Sequence, residues 1–129
     1  MRRLAFFLAV LLLAAGCSGG AASSGATVEM TADRRFDPAD LTVPPGTTIT
    51  FENASAEAHT VTTYDGEAPV GFSSGGFASE EEARDNLADA LIGQEGSYEV
   101  TLDEPGTYEY LCIPHEDQGM TGTITVEEE

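Results

Sequence analysis

Nine residues near the C-terminus constrain this 129-residue chain more than any other stretch. The run Cys112–Met120 contains a thiol, an imidazole and a thioether, and the only other histidine is His59. Two His, one Cys and a distant Met are the ligand set of a mononuclear blue-copper site. We therefore expect a fold that brings His59 from another segment to Cys112, His115 and Met120.

The spacing within this run suits a single metal ion. A Cys and a His three residues apart on one turn can both point inward, and four further residues allow the chain to return with Met120. Structural zinc prefers four Cys/His ligands, and residues 27–129 contain only three. A binuclear copper centre needs a second cysteine near Cys112, and the sequence has none there. Cysteine catalysis needs a base, an oxyanion hole and a substrate cleft, and a Cys-x-x-His turn at the end of a buried strand offers no such cleft. One copper ion therefore fits best, and no enzymatic activity is expected.

Most of residues 27–129 alternates between apolar and polar side chains in short runs, which is the period of half-buried strands. Turns at Pro44-Pro45-Gly46 and Glu104-Pro105-Gly106 separate some of these runs. We predict an all-β sandwich or barrel, with Met30 in its core and Cys112 on the same inner face as two tyrosines. The apolar positions are Val28 and Met30; Ile49 and Phe51; Tyr98, Val100 and Leu102; Tyr108, Tyr110 and Cys112; and Gly122, Ile124 and Val126.

One segment follows a helical pattern instead. Ser79 and the three acids after it predict a capped helix start, and Gly93 predicts a stop. We predict one helix of about three turns near residues 80–92, packed on the sandwich, with a preceding loop over residues 64–78. The apolar face of the helix is Ala83, Leu87, Ala90 and Leu91, and the aromatics of the loop are Phe72 and Phe77.

The same residues carry a resemblance to a known family. The run Gly106–His115, followed by Gly119-Met120-Thr121-Gly122 and a last strand, resembles the copper loop of the plastocyanin-like blue-copper, or cupredoxin, family. The resemblance covers most of residues 27–129 and is weakest over residues 65–96. Upstream segments that resemble the halocyanin branch are Phe36-Asp37-Pro38, Leu41-Thr42-Val43, Pro45-Gly46-Thr47-Thr48 and Phe51-Glu52-Asn53.

This resemblance implies a Greek-key β-sandwich that holds one copper ion and cycles it between Cu(I) and Cu(II). It implies that His115 is the electron portal, because the corresponding ring in this family reaches an apolar surface patch. One departure is Thr60, since many relatives carry Asn directly after the first histidine ligand. We expect the Thr60 hydroxyl to replace part of the hydrogen bonding that this Asn supplies.

The N-terminus predicts an exported protein. Arg2, Arg3 and the apolar run that follows suggest a signal peptide over residues 1–16, too short for a spanning helix of about 20 residues. Leu13–Cys17 resembles a lipobox, so Cys17 is expected to carry lipid, residues 17–26 to form a Ser/Gly/Ala tether, and residues 27–129 to form the domain. An ordinary leader with an incidental cysteine is the alternative. Both Sec and twin-arginine export remain open.

The net charge of the chain limits the kinds of partner that it can bind. All 23 acids follow Cys17, whereas only three arginines follow it and lysine is absent, so the mature chain carries a net charge of −20. Without a basic patch to neutralise phosphates, nucleic-acid binding is excluded. Such self-repulsion is tolerated at high salt, which favours a saline habitat, although an acidic surface matched to a basic partner is the alternative.

Together these features predict a monomeric one-electron carrier, lipid-anchored on the outer face of the cytoplasmic membrane and serving redox protein partners. Copper storage or delivery is the alternative function, but delivery sites favour exposed, exchangeable ligands. A further possibility is N-glycosylation of Asn53, because Asn53-Ala54-Ser55 matches the acceptor pattern. The sequence does not identify the electron donor, the acceptor or the reduction potential.

The net charge generates the first prediction. We expect the melting temperature of the domain to fall as salt is removed, because the Debye length of about 3 Å at 1 M salt lengthens and the acids then repel one another. Copper should reduce this loss, since a ligand of the folded state stabilises it by mass action. Thermal melts over a salt series, with and without copper, measure both effects. A melting temperature independent of salt contradicts the saline interpretation.

Overall fold

The computed structural model describes residues 25–128, and these form two four-stranded β-sheets around one core. The first sheet has the order β2-β1-β4-β6 and the second β3-β8-β7-β5, with β1/β4 and β3/β8 parallel and the other pairs antiparallel. The predicted all-β sandwich is therefore confirmed. The strands are β1 Gly25–Met30, β2 Phe36–Asp37, β3 Asp40–Val43, β4 Thr47–Asn53, β5 Thr62–Thr63, β6 Ser97–Leu102, β7 Gly106–Leu111 and β8 Thr121–Val126.

The predicted leader, Cys17 and most of the predicted tether lie outside the described residues. Strand β1 begins at Gly25, so the last two residues assigned to the tether belong to the first sheet. Within residues 25–128, no helix has both the length and the apolar character required to cross a bilayer.

The alternating pattern places the apolar side chains between the two sheets. Val28 and Met30 on β1 lie beside Ile49 and Phe51 on the neighbouring strand β4, and all four are fully buried on the inner face of the first sheet. The opposite sheet contributes Tyr108, Tyr110, Ile124 and Val126 to the same core. Each such side chain contributes about 1.5–3 kcal/mol relative to an exposed position, so this contact is what holds the sheets together.

Tyr110 packs over Gly122 of the neighbouring strand. Gly122 lies opposite Tyr110 in the β7/β8 ladder, and a Cβ atom there would collide with the phenol ring. The ring instead packs edge-on against Phe36 and Phe51, with centroids 4.7 and 5.3 Å away. Gly122 therefore leaves the space that a bulky side chain needs two residues before Cys112.

The predicted helix is present but broken. Its two pieces are α1 Glu80–Asp85 and α2 Leu87–Ala90, separated by Asn86 with φ −126° and ψ 40°. The Asn86 side chain donates to the Glu82 carbonyl at 2.9 Å, a local bond through which Asn competes with helix continuation. The start is as predicted, since Ser79 Oγ accepts from the Glu82 N–H at 3.1 Å. A single helix extending to residue 92 was wrong, and Leu91 is 41% exposed instead of packed.

The preceding loop attaches these helices to the sandwich. Phe72 is buried as predicted, whereas Phe77 is only half-buried. Ser74, in a short 3-10 turn, accepts from the Val61 N–H at 3.1 Å and donates to the Ala90 carbonyl at 2.7 Å. The residues before β5 and the end of α2 are thereby held together, which matters for the position of His59.

Candidate metal centre

Three of the predicted ligands converge at one end of the sandwich. His59 Nδ1 and His115 Nδ1 are 3.1 Å apart, and Cys112 Sγ lies 3.3 Å from His115 Nδ1 and 3.7 Å from His59 Nδ1. Two donors to one ion can be separated by at most the sum of two bonds, about 4 Å for nitrogen and sulfur ligands. All three atoms satisfy this limit, so the side chains fit one metal ion.

The loop after β7 holds two ligands and Met120 through its own backbone. The Cys112 N–H donates to the Met120 carbonyl at 3.0 Å, the His115 N–H to Cys112 at 3.2 Å, and the Met120 N–H to His115 at 3.3 Å. Gly119, with φ +81°, allows the chain to reverse before β8. Met120 is fully buried, and its axial role remains a prediction.

His59 comes from the segment between β4 and β5 and is held by a backbone pair. Its N–H donates to the Ile92 carbonyl at 3.1 Å, and the Ile92 N–H donates back at 2.7 Å. Ile92 directly follows the two short helices, in the region where the family resemblance is weakest. This region therefore helps to hold His59 in position, although it supplies no ligand itself.

Ser55 and Asn53 fix the orientation of the His59 ring. Ser55 Oγ lies 2.8 Å from His59 Nε2 and 2.8 Å from Asn53 Oδ1. When the hydroxyl donates to Asn53, it accepts from His59 Nε2–H, and His59 Nδ1 keeps a free lone pair. The sequence did not predict either supporting role, because the pattern Asn53-Ala54-Ser55 indicates only a glycosylation site and does not show that both side chains turn toward His59.

The environment of Asn53 argues against glycosylation of the folded domain. Asn53 is only 2% exposed, and its amide nitrogen donates to the carbonyls of Glu57 and Ile92 at 2.7 and 2.9 Å. Both amide protons are therefore used, and a glycan at this nitrogen would remove them. The amide instead connects β4 to the two segments that flank His59.

Thr60 holds the copper loop through two hydrogen bonds. Its backbone N–H donates to Cys112 Sγ at 3.4 Å, and its hydroxyl accepts from the Ile113 N–H at 2.8 Å. The expectation that this hydroxyl takes part in hydrogen bonding around the site is confirmed. An N–H donor at sulfur stabilises the thiolate that a metal requires.

Burial sets the protonation of the ligands. It lowers the pKa of His59, with a further contribution from His115, and it lowers the pKa of His115 despite the nearby Glu57. Both imidazoles are therefore held neutral, the form that binds metal. Burial also raises the pKa of the Cys112 thiol, against the hydrogen bonds from Thr60 and His115, so a metal must displace this proton.

The comparisons agree with this site. The family of copper-binding proteins described as plastocyanin/azurin matches residues 23–127. Plastocyanin from Sambucus nigra is 37% identical over 91 residues, spanning 70% of this chain and 86% of that protein. Chloroplastic plastocyanin from Physcomitrium patens is 34% identical over 109 residues, spanning 82% of this chain and 60% of that protein.

Solved structures show the same architecture. An oxidised methionine-to-leucine variant of amicyanin has a TM-score of 0.59 at 25% identity, covering 78% of this chain and 80% of amicyanin. A copper-containing nitrite reductase from Thermus scotoductus SA-01 has a TM-score of 0.64 at 26% identity, covering 81% of this chain but only 23% of the reductase.

The fold and the site thus define a cupredoxin with a single copper site. The chain belongs to the plastocyanin/azurin family of copper-binding proteins. The predicted copper cofactor is confirmed, with His59, Cys112, His115 and Met120 as its potential ligands. The narrower likeness to halocyanins stays a prediction.

Thr60 provides the prediction from this site. Thr60→Val removes the acceptor for the Ile113 N–H, and an unpaired, partly buried N–H costs about 1–3 kcal/mol. We expect a lower melting temperature of the copper-free domain and faster hydrogen exchange at the Ile113 amide. Thr60→Ser is the control, because it keeps the hydroxyl and should keep that amide protected. Unchanged protection of Ile113 in the valine variant would show that this hydrogen bond does not hold the loop.

Proposed function

We propose that this chain is a mononuclear blue-copper carrier of single electrons between redox proteins. The observation that carries the proposal is that the two Nδ1 atoms and Cys112 Sγ lie within 3.7 Å of one another while supports from other residues already hold them. Copper bound there supplies a Cu(I)/Cu(II) couple. Cys112, His59 and His115 would hold the copper as strong ligands, and Met120 would be a weak one.

Burial favours a carrier over a storage or delivery protein. His59, Cys112 and Met120 are fully buried, and His115 is 8% exposed. An incoming chaperone or enzyme therefore cannot reach most of the ligand atoms without opening the loop. An electron needs only a short path, and the edge of His115 provides one.

His115 is the proposed portal for the electron. It is the ligand with solvent contact, and Ile113 and Pro114 beside it are half-buried and exposed. These apolar neighbours suit brief contact with a partner. At molar salt, steering beyond about 3 Å is weak, so apolar contact is expected to matter more than charge.

The direction of β1 supports the proposed membrane anchor. Gly25 pairs with Thr48 at one end of the first sheet, whereas Met30 pairs with Asn53 at the end that supports the copper site. A tether from a lipid-bearing Cys17 would join the domain at the end remote from His115. The portal would then be free for partners on the outer face of the membrane, where we propose that the protein works.

Ligand substitutions test the electron-carrier proposal. Cys112→Ser should abolish the blue absorption of the copper-loaded protein, because that band requires a copper–thiolate bond. Met120→Leu should keep the colour and raise the reduction potential, since losing a weak axial donor disfavours Cu(II). Visible and paramagnetic-resonance spectra with voltammetry measure both effects. Full blue colour in the serine variant contradicts the copper assignment, and irreversible loss of copper on reduction contradicts the carrier.

Cell fractionation tests the anchor. Wild-type protein should sediment with membranes, while Cys17→Ser should be released or left unprocessed because it lacks the thiol to which lipid is attached. Ser18→Ala is the matched control and should fractionate like the wild type. Mature wild-type protein that is wholly soluble and cleaved at another residue excludes the tether.

A further inference from the structure

A carboxylate lies against the outer edge of the proposed portal. Glu57 Oε2 is 3.3 Å from His115 Nε2, on the side of the ring opposite to the ligand atom Nδ1. Glu57 follows Ser55 by two residues, and its backbone carbonyl accepts from the Asn53 amide at 2.7 Å. The segment that orients His59 thus also reaches His115.

Arg34 holds this carboxylate in place. Arg34 Nε donates to Glu57 Oε2 at 2.8 Å, and Nη2 donates to Glu57 Oε1 at 2.7 Å, which is the two-bond geometry that guanidinium and carboxylate groups favour. The remaining nitrogen, Nη1, donates to Gln118 in the copper loop. The two hydrogen bonds from the guanidinium therefore fix both oxygens of the carboxylate.

The backbone at Arg34 is itself unusual. Arg34 has φ +60°, a left-handed conformation that L residues with a Cβ rarely adopt, in the turn between β1 and β2. Such a residue persists where the surroundings require it, often at functional sites. Here the turn delivers one of only three domain arginines to the edge of the copper loop.

Stability alone does not account for this arrangement. The Arg34 and Glu57 side chains are 39% and 42% exposed, and ion pairs at exposed positions add little to folding. The carboxylate does have a partner for which its position matters, namely the imidazole of a metal ligand. Carboxylates on the outer nitrogen of such imidazoles fix the ring and make it a stronger donor.

We propose that Glu57, clamped by Arg34, is a positioning residue that holds His115 through Nε2 and sets the charge at the electron portal. The proposal rests on the electron-carrier function and adds two residues to it. The Glu57 carboxylate orients the ring with Nδ1 inward and favours Cu(II), whereas the Arg34 guanidinium limits that preference. The two side chains therefore move the reduction potential in opposite directions.

The decisive measurement is the sign of the potential shift in two variants of the copper-loaded protein. Glu57→Gln keeps the size of the side chain and removes its negative charge, so the reduction potential should rise. Arg34→Gln removes the positive charge, so the reduction potential should fall. Arg34→Lys keeps the positive charge, so its reduction potential should lie between those of Arg34→Gln and the wild type. Glu80→Gln is the matched control, because the Glu80 carboxylate also pairs with an arginine, Arg84, at 2.7 Å, but its other hydrogen bond comes from the Asp65 N–H and not from a ligand. Shifts of the same sign, or shifts no larger than in the control, overturn the proposal.

Redox-inert zinc separates this proposal from the carrier function. In the Zn²⁺-loaded protein, nuclear magnetic resonance should show the Nε2–H proton of His115 protected from exchange, and Glu57→Ala should make that exchange faster. The same variant should bind Zn²⁺ about tenfold more weakly, the usual effect of losing an outer partner of a ligand. Unchanged exchange and affinity refute the positioning role even if the protein is blue and redox-active. The expected changes in a protein without reversible copper redox would support positioning and refute the carrier.

Discussion

The metal site depends on two imidazole nitrogens being held 3.1 Å apart beside a buried thiol. Each outer nitrogen has an oxygen nearby, Ser55 Oγ for His59 and Glu57 Oε2 for His115, and a proton on each outer nitrogen leaves the inner nitrogen its lone pair. Two acceptors this close repel each other unless a proton or a cation lies between them. Burial lowers the pKa of both rings and opposes the proton, which leaves a metal cation as the better solution.

Much of the fold followed from period-2 alternation, because burial on one face is a local pattern that sequence records directly. The ligands could be predicted for a similar reason, since His, Cys and Met at these spacings have few other joint uses. The break at Asn86 and the roles of Ser55 and Glu57 could not, because each depends on which distant atom a short polar side chain meets. Asn53 illustrates the difference. Its glycosylation pattern is a local feature of the sequence, but its burial and its hydrogen bond to the Ile92 carbonyl depend on the tertiary structure.

Two of the three domain arginines lie beside the copper loop. Arg34 neutralises Glu57 on one side of the copper loop, and Arg84 bridges Glu80 and Glu116 on the other, at 2.7 and 2.9 Å. Three of the 23 acids, Glu57, Glu80 and Glu116, are thereby paired with arginine, and each pairing reduces the repulsion among the acids.

The supports of the ligands also bear on the speed of electron transfer. His59 is fixed by the Ile92 backbone and by Ser55, Cys112 by Thr60, and the copper loop by hydrogen bonds among its own residues. None of these contacts requires a particular oxidation state of copper, so the same positions serve Cu(I) and Cu(II). A site that moves little between states needs little reorganisation when an electron arrives. His115 is the least buried of the four ligands, so nearby charges can influence the reduction potential most directly through it. The opposite charges of Glu57 and Arg34 lie beside this ligand.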